Sequence, residues 1–191
     1  MKLTDSLREE HEVIKQMLYI IEIIIKNLET GSVVDFNDLE QIINFITIFT
    51  DKCHHGKEED ILFVAIEEAG IQKEGGPVGV MLQEHDMGRF YVRNMRESIE
   101  QLKRGNQAYI QKFVENARNY AGLIRNHIYK ENNLLYPLAE MHISEEKQQQ
   151  IIKEYEKLET ERIGTGTHEK MHMLIMQLKD KYANNQQVFL L

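Results

Sequence analysis

His54-His55-Gly56-Lys57-Glu58-Glu59-Asp60-Ile61-Leu62-Phe63-Val64 and His127-Ile128-Tyr129-Lys130-Glu131-Asn132-Asn133-Leu134-Leu135-Tyr136-Pro137 are two copies of one pattern. Both read His-x-x-Lys-Glu-x-x-aliphatic-Leu-aromatic. On a helix, residues four apart stack on one face, so each copy projects an imidazole and a carboxylate together. A second match lies upstream of each copy: Glu10-His11 precedes the first and Glu84-His85 the second, with His11 standing 43 positions before His54 and His85 42 before His127.

Four helices therefore carry the repeat. Leu7, Ile14, Leu18, Ile21 and Ile25 recur at helical spacing, with Ser6 and Glu9 as a capping box, giving a first helix to about Leu28. The next helix begins between Asp35 and Asp38 and runs to about Ala69, before Gly70 and Gly75-Gly76-Pro77 break the chain. A third helix carries Met81, His85, Val92, Met95, Ile99 and Leu102 and stops at Gly105. The fourth runs from Ala108 to about Pro137, with the proline near its end. These make an all-α, up-down-up-down four-helix bundle over residues 1–140. Residues 141–191 add two helices packed on it, one from Ser144 to about Arg162 and one from Thr167 to about Tyr182.

Counting over the repeat gives four imidazoles and two carboxylates at similar depth: His11, His54, Glu58, His85, His127 and Glu131. Such a set is dinuclear by composition, and bundle cores are where carboxylate-bridged di-iron and di-manganese centres are built. Imidazole with carboxylate suits iron better than a soft-ligand metal, with manganese or zinc as substitutes. A buried ionised glutamate without a partner is costly, and a bound cation removes that cost. The register follows from the repeat. His55 and Glu59 are also four apart, but they align with Ile128 and Asn132, which do not reproduce the pair, so His55 stays in reserve as a neighbour of the site or a supplementary ligand.

These residues resemble the hemerythrin-like domains of the His-His-Glu cation-binding type, in their bacterial and archaeal di-iron form, over roughly Leu7 to Leu138. The run Gly75-Gly76-Pro77-Val78-Gly79-Val80-Met81-Leu82-Gln83-Glu84-His85, followed by Gly88-Arg89, is similar to that family's third-helix signature. The resemblance implies two irons bridged by Glu58, Glu131 and an oxo or hydroxo group, His11 and His54 serving one iron and His85 and His127 the other. It implies binding of, and reaction with, a small oxidant (O2, H2O2 or NO), in oxidative or nitrosative stress or in iron handling. The oxygen-carrying members have another histidine one turn from the third-helix ligand, where this chain has Met81 or Arg89. Six ligands leave exchangeable positions, which favours a di-iron oxidoreductase; an oxygen or iron sensor, or a reversible oxygen carrier, is the alternative.

A net charge of −8 with a pI near 5.5 gives no reason to approach nucleic acid or an anionic membrane. The charged start of the chain and the single cysteine, Cys53, favour a cytoplasmic protein, monomeric or homodimeric, with an electron donor the sequence does not identify. His168 and His172 lack an acidic partner on their stripe and read as surface or packing residues. Tyr129 and Tyr136 read as core or boundary tyrosines, Cys53 as a small buried hydrophobe, and Arg89 as a partner for Glu84.

Overall fold

The computed structural model describes residues 2–164 and 166–184, which are helical apart from short connections and contain no strand. Six helices follow one another. α1 is Asp5–Glu29, α2 spans 36–68, α3 is Pro77–Lys103, α4 spans 109–142, α5 spans 145–163 and α6 spans 167–184. The first four form the bundle, with α3 and α4 adjacent and α1 packed on α4. None of the described helices is long and apolar enough to cross a membrane.

Helix ends follow local chemistry. Asp35 caps α2 by accepting from the Asn37 N–H at 2.9 Å, and Ser144 caps α5 through the Lys147 N–H. α3 runs into Gly105, whose φ of +88° reverses the chain where a side chain would be strained. At the start of α3, a Cβ on Gly76 would lie 1.9 Å from the Gln72 carbonyl oxygen, so the glycine-rich signature there is a demand of close packing. The capping box expected at Ser6 and Glu9 does not form. Helix α1 already begins at Asp5, after Thr4, whose hydroxyl is taken by Glu140 and Arg8 instead of capping.

Two apolar clusters fill the molecule. Ile14, Ile21, Phe45, Phe49, Met95, Tyr120 and Ile124 belong to the larger, and Leu7, Leu62, Phe63, Val78, Met81, Leu135 and Tyr136 to the smaller. α5 adds Ile151 and Tyr155 to the smaller cluster, while α6 adds Ile175, Leu178 and Tyr182 to the larger. Between them lies a polar layer. On every bundle helix a histidine sits where the side chains pass from one cluster to the other: His11 between Leu7 and Ile14, His54 between Phe49 and Leu62, His85 between Met81 and Met95, His127 between Ile124 and Leu135.

The helices that carry the repeat are not uniformly wound. Wider turns, closed by hydrogen bonds five residues apart, occupy Ile46–His55 and Glu58–Leu62 in α2 and Glu131–Leu135 in α4. The last two follow the repeated glutamates, with Phe63 N–H bonded to the Glu58 carbonyl and Tyr136 N–H to that of Glu131. The wide turn also explains why α4 does not stop at Pro137. It relaxes the spacing ahead of the proline ring, and the helix continues through Tyr136–His142.

Candidate metal centre

The six predicted residues converge, each at most 1% exposed. Their donor atoms fall into two groups, within each of which the atoms lie no more than 4.8 Å apart: His11, His54, Glu58 and Glu131, and then His55, Glu58, His85 and His127. Glu58 is common to both. Its Oε2 is 3.7 Å from His54 Nε2 and 3.5 Å from His85 Nε2. Glu131 also spans the layer, with Oε2 3.2 Å from His11 Nε2 and Oε1 2.9 Å from His127 Nε2. His55, held in reserve by the sequence, therefore stands among the donors. Both adjacent histidines reach the layer because α2 is widely wound there, and a narrower twist per residue brings neighbours closer to one face.

The surrounding contacts repeat as the donors do. Glu10 accepts from His54 Nδ1 at 2.8 Å and from Lys57, while Glu84 accepts from His127 Nδ1 at 2.9 Å and from Lys130. His85 Nδ1 is 2.6 Å from Glu59 Oε1, and His11 Nδ1 is 3.0 Å from Asn132 Oδ1, at the equivalent position of the other copy. In all four imidazoles Nδ1 is thus held by an oxygen, leaving Nε2 for the centre, which is how proteins orient a metal-binding histidine. The repeat carries this signal in its own Lys and Glu-His elements. Tyr136 is a fully buried core residue that also reaches the layer. Its hydroxyl donates to Glu58 Oε1 at 2.7 Å and lies 3.3 Å from His11 Nε2.

The electrostatics are those of a cation site. Burial alone would lower the pKa of His127, but Glu131 and Glu84 hold it up at about 9. His85 is likewise raised against burial by Glu131, Glu58 and Glu59. Glu131 is driven well below the usual carboxylate range, burial opposing and the imidazoles of His127, His11 and His85 prevailing. Glu10 is held at about 2 by His54 and Lys57 in spite of its burial. His55 goes the other way: burial, then the charges of His85, His54 and His127, keep it neutral. Even with these interactions seven buried side-chain atoms have no hydrogen bond among the described residues, and four of them, His54 Nε2, Glu58 Oε2 and both oxygens of Glu131, belong to the predicted site. Orphaned buried polar atoms cost about 1–3 kcal/mol each, and these four sit together where a metal would satisfy them.

Other expectations change. Arg89 pairs with Asp51 at 2.8 Å, with Glu59 and with Asp86, while Glu84 is taken by Lys130 and His127. His168 does find an acid, but from another helix: Nε2 is 3.2 Å from Glu159 and 3.8 Å from Cys53 Sγ. Cys53 is buried, as expected, and burial with the nearby Glu10 charge pushes its thiol up to about 12.

A helical bundle with a buried layer of paired imidazoles and carboxylates defines a metal-binding bundle protein. The chain belongs to the hemerythrin HHE cation-binding domain family, whose model matches residues 2–139. The comparison with curated proteins gives no match. A cation-binding site of the kind that typically holds iron is what this family provides, and the buried His and Glu groups fit it.

Proposed function

We propose that the polar layer holds two irons, His11 and His54 on one and His85 and His127 on the other, with Glu58 and Glu131 spanning both, and that the pair reacts with a small oxidant. The observation that carries this reading is the pair of buried donor groups that share Glu58, with His54 Nε2, Glu58 Oε2 and both oxygens of Glu131 left without hydrogen bonds among them, the arrangement a dinuclear site requires. An iron pair supplies electrons to O2, H2O2 or NO. The chain's own residues do the rest. Glu10, Glu59, Glu84 and Asn132 fix the imidazoles, the two apolar clusters keep bulk water out, and the Tyr136 hydroxyl stands as a hydrogen-bond donor beside Glu58 and His11.

The test is metal analysis of the purified chain, then anaerobic reduction and separate addition of each oxidant while absorption is followed. Two irons per chain and rapid reoxidation are expected. A single ion, or zinc in place of iron, would remove the reading. Substituting Glu131→Ala should empty both positions; retention of both irons would show that Glu131 does not span them.

A second reading, an oxygen or iron sensor, has one observation in its favour. Lys57 bonds both to Glu10, which holds His54, and to Glu159 of α5, at 2.8 Å, so the layer is joined to the C-terminal helices through charged contacts. Hydrogen exchange in α5 and α6 that changes with iron loading or oxidation would favour it over turnover.

A further inference from the structure

We propose that His55 is a fifth imidazole donor of the centre, bound to the ion held by His85 and His127 and standing between that ion and an outer cavity. The inference rests on the two-iron reading above. It starts from where the repeat fails: His11 matches His85, His54 matches His127 and Glu58 matches Glu131, but His55 matches Ile128, so only one half of the site has this residue. Among the described residues one ring nitrogen of His55 lies within 4.8 Å of donors from Glu58, His85 and His127. The ring stacks on His85, with centroids 3.7 Å apart and planes 14° from parallel, and meets His127 edge-on at 5.8 Å.

The competing account is a histidine that merely packs. Its polar atoms argue against that. His55 is 4% exposed, and its Nδ1 has no hydrogen bond, the nearest acid being Asp51 at 3.5 Å, whose oxygen is occupied by Arg89 at 2.8 Å. A packing ring would present carbon here or find a partner. The other four histidines of the layer hold Nδ1 on an oxygen, whereas Nδ1 of His55 stops 3.5 Å short of Asp51 without a closed bond. On its other side lies a cavity of about 260 Å³, lined by Ile46, Thr50, Gly88, Arg89, Val92 and His55 itself. The ring thus borders both the cavity and the donors. A small ligand entering by the cavity meets His55 first, and the two ions are unlike: one has three imidazoles, the other two with the Tyr136 hydroxyl nearby.

The experiment loads the full-length protein with iron-57 and records low-temperature Mössbauer spectra of the wild type, His55→Ala and His55→Phe, with iron counted and melting followed by circular dichroism. Phenylalanine keeps the stacked volume without a donor, so it serves if alanine weakens the fold. In both variants one quadrupole doublet is expected to shift or be lost while the other stays. Added imidazole should restore the wild-type doublet in His55→Ala, where the cavity opens onto the vacated position, but not in His55→Phe. Unchanged doublets with two irons per chain in both variants would overturn the proposal and leave the two-iron reading intact. A wild-type chain that takes up fewer than two irons would overturn both, and the iron count tells the cases apart.

Discussion

Lys57 and Lys130 occupy the same place in the repeat and bind equivalent glutamates, yet their removal should cost very different amounts. Lys57 and Glu10 have side chains only 2% and 5% exposed, whereas Lys130 and Glu84 are 29% and 19% exposed. Truncating one partner of a buried pair leaves an uncompensated charge and costs about 3–5 kcal/mol. His54 still donates to Glu10 at 2.8 Å, which places Lys57→Met at the lower end, about 3 kcal/mol. Around Lys130, water screens what is lost, and the equivalent Lys130→Met should cost about 1 kcal/mol or less. At this chain length 1 kcal/mol corresponds to roughly 2–4 °C, so the two variants should melt about 4–8 °C apart. The assay is urea denaturation and thermal melting of metal-free protein, which keeps metal affinity out of the comparison. A double-mutant cycle of Lys57→Met with Glu10→Gln should recover most of the loss, because the orphaned charge is then gone. Equal costs for Lys57→Met and Lys130→Met, within about 0.5 kcal/mol, would refute the claim that burial sets the value of these pairs.

Stability of the metal-free protein should depend on pH on both sides of a plateau. Glu10, lowered from 4.5 to about 2, contributes stability that is complete above 4.5 and lost as pH falls toward 2. His127, raised from 6.5 to about 9, contributes stability that is complete below 6.5 and lost as pH rises through 9. Each shift corresponds to about 3 kcal/mol, so a melting temperature that stays flat or climbs between pH 6.5 and 9 would contradict the imidazolium role of His127. Tyr136→Phe removes the donor to Glu58 and should cost about 1–3 kcal/mol in the metal-free protein while sparing the iron count; chemical denaturation and iron analysis check the two halves of that statement.

The repeat made the convergence of the six residues legible because it puts the same residue types at the same depth on opposite helices. His54 with Glu58 and His127 with Glu131 need only α-helical spacing to be seen. His55 was harder. The repeat alignment ranks His54 above His55, which matches Ile128, and the wide turns of 46–55 bring both histidines toward the layer. Nothing in ITIFTDKC announces such winding, since it arises where packing on both sides of the layer must be reconciled within one helix. The same winding lets α4 run five residues past Pro137, because a wide turn precedes the proline. His168 shows a different limit: its acidic partner comes from α5, so a search along its own helix stripe cannot find Glu159.

The C-terminal helices provide the final test of how the centre is kept dry. Ile151 and Tyr155 lie in the smaller cluster with Leu62, Phe63 and Ile66, and Ile175 and Leu178 lie in the larger, so each helix closes one side of the polar layer. Burying each such side chain is worth about 1.5–3 kcal/mol, and four of them together match the whole margin of a typical domain, although deleting the helices also releases their ordering cost. What deletion does not return is the bundle surface they cover. A chain ended after residue 143 should therefore melt more than about 10 °C lower, bind a hydrophobic dye, and lose iron to a chelator faster, because Glu10 and Lys57 beneath α5 become wet. A truncated chain with wild-type melting and wild-type iron retention would mean that the bundle seals its own centre and that α5 and α6 are dispensable to it.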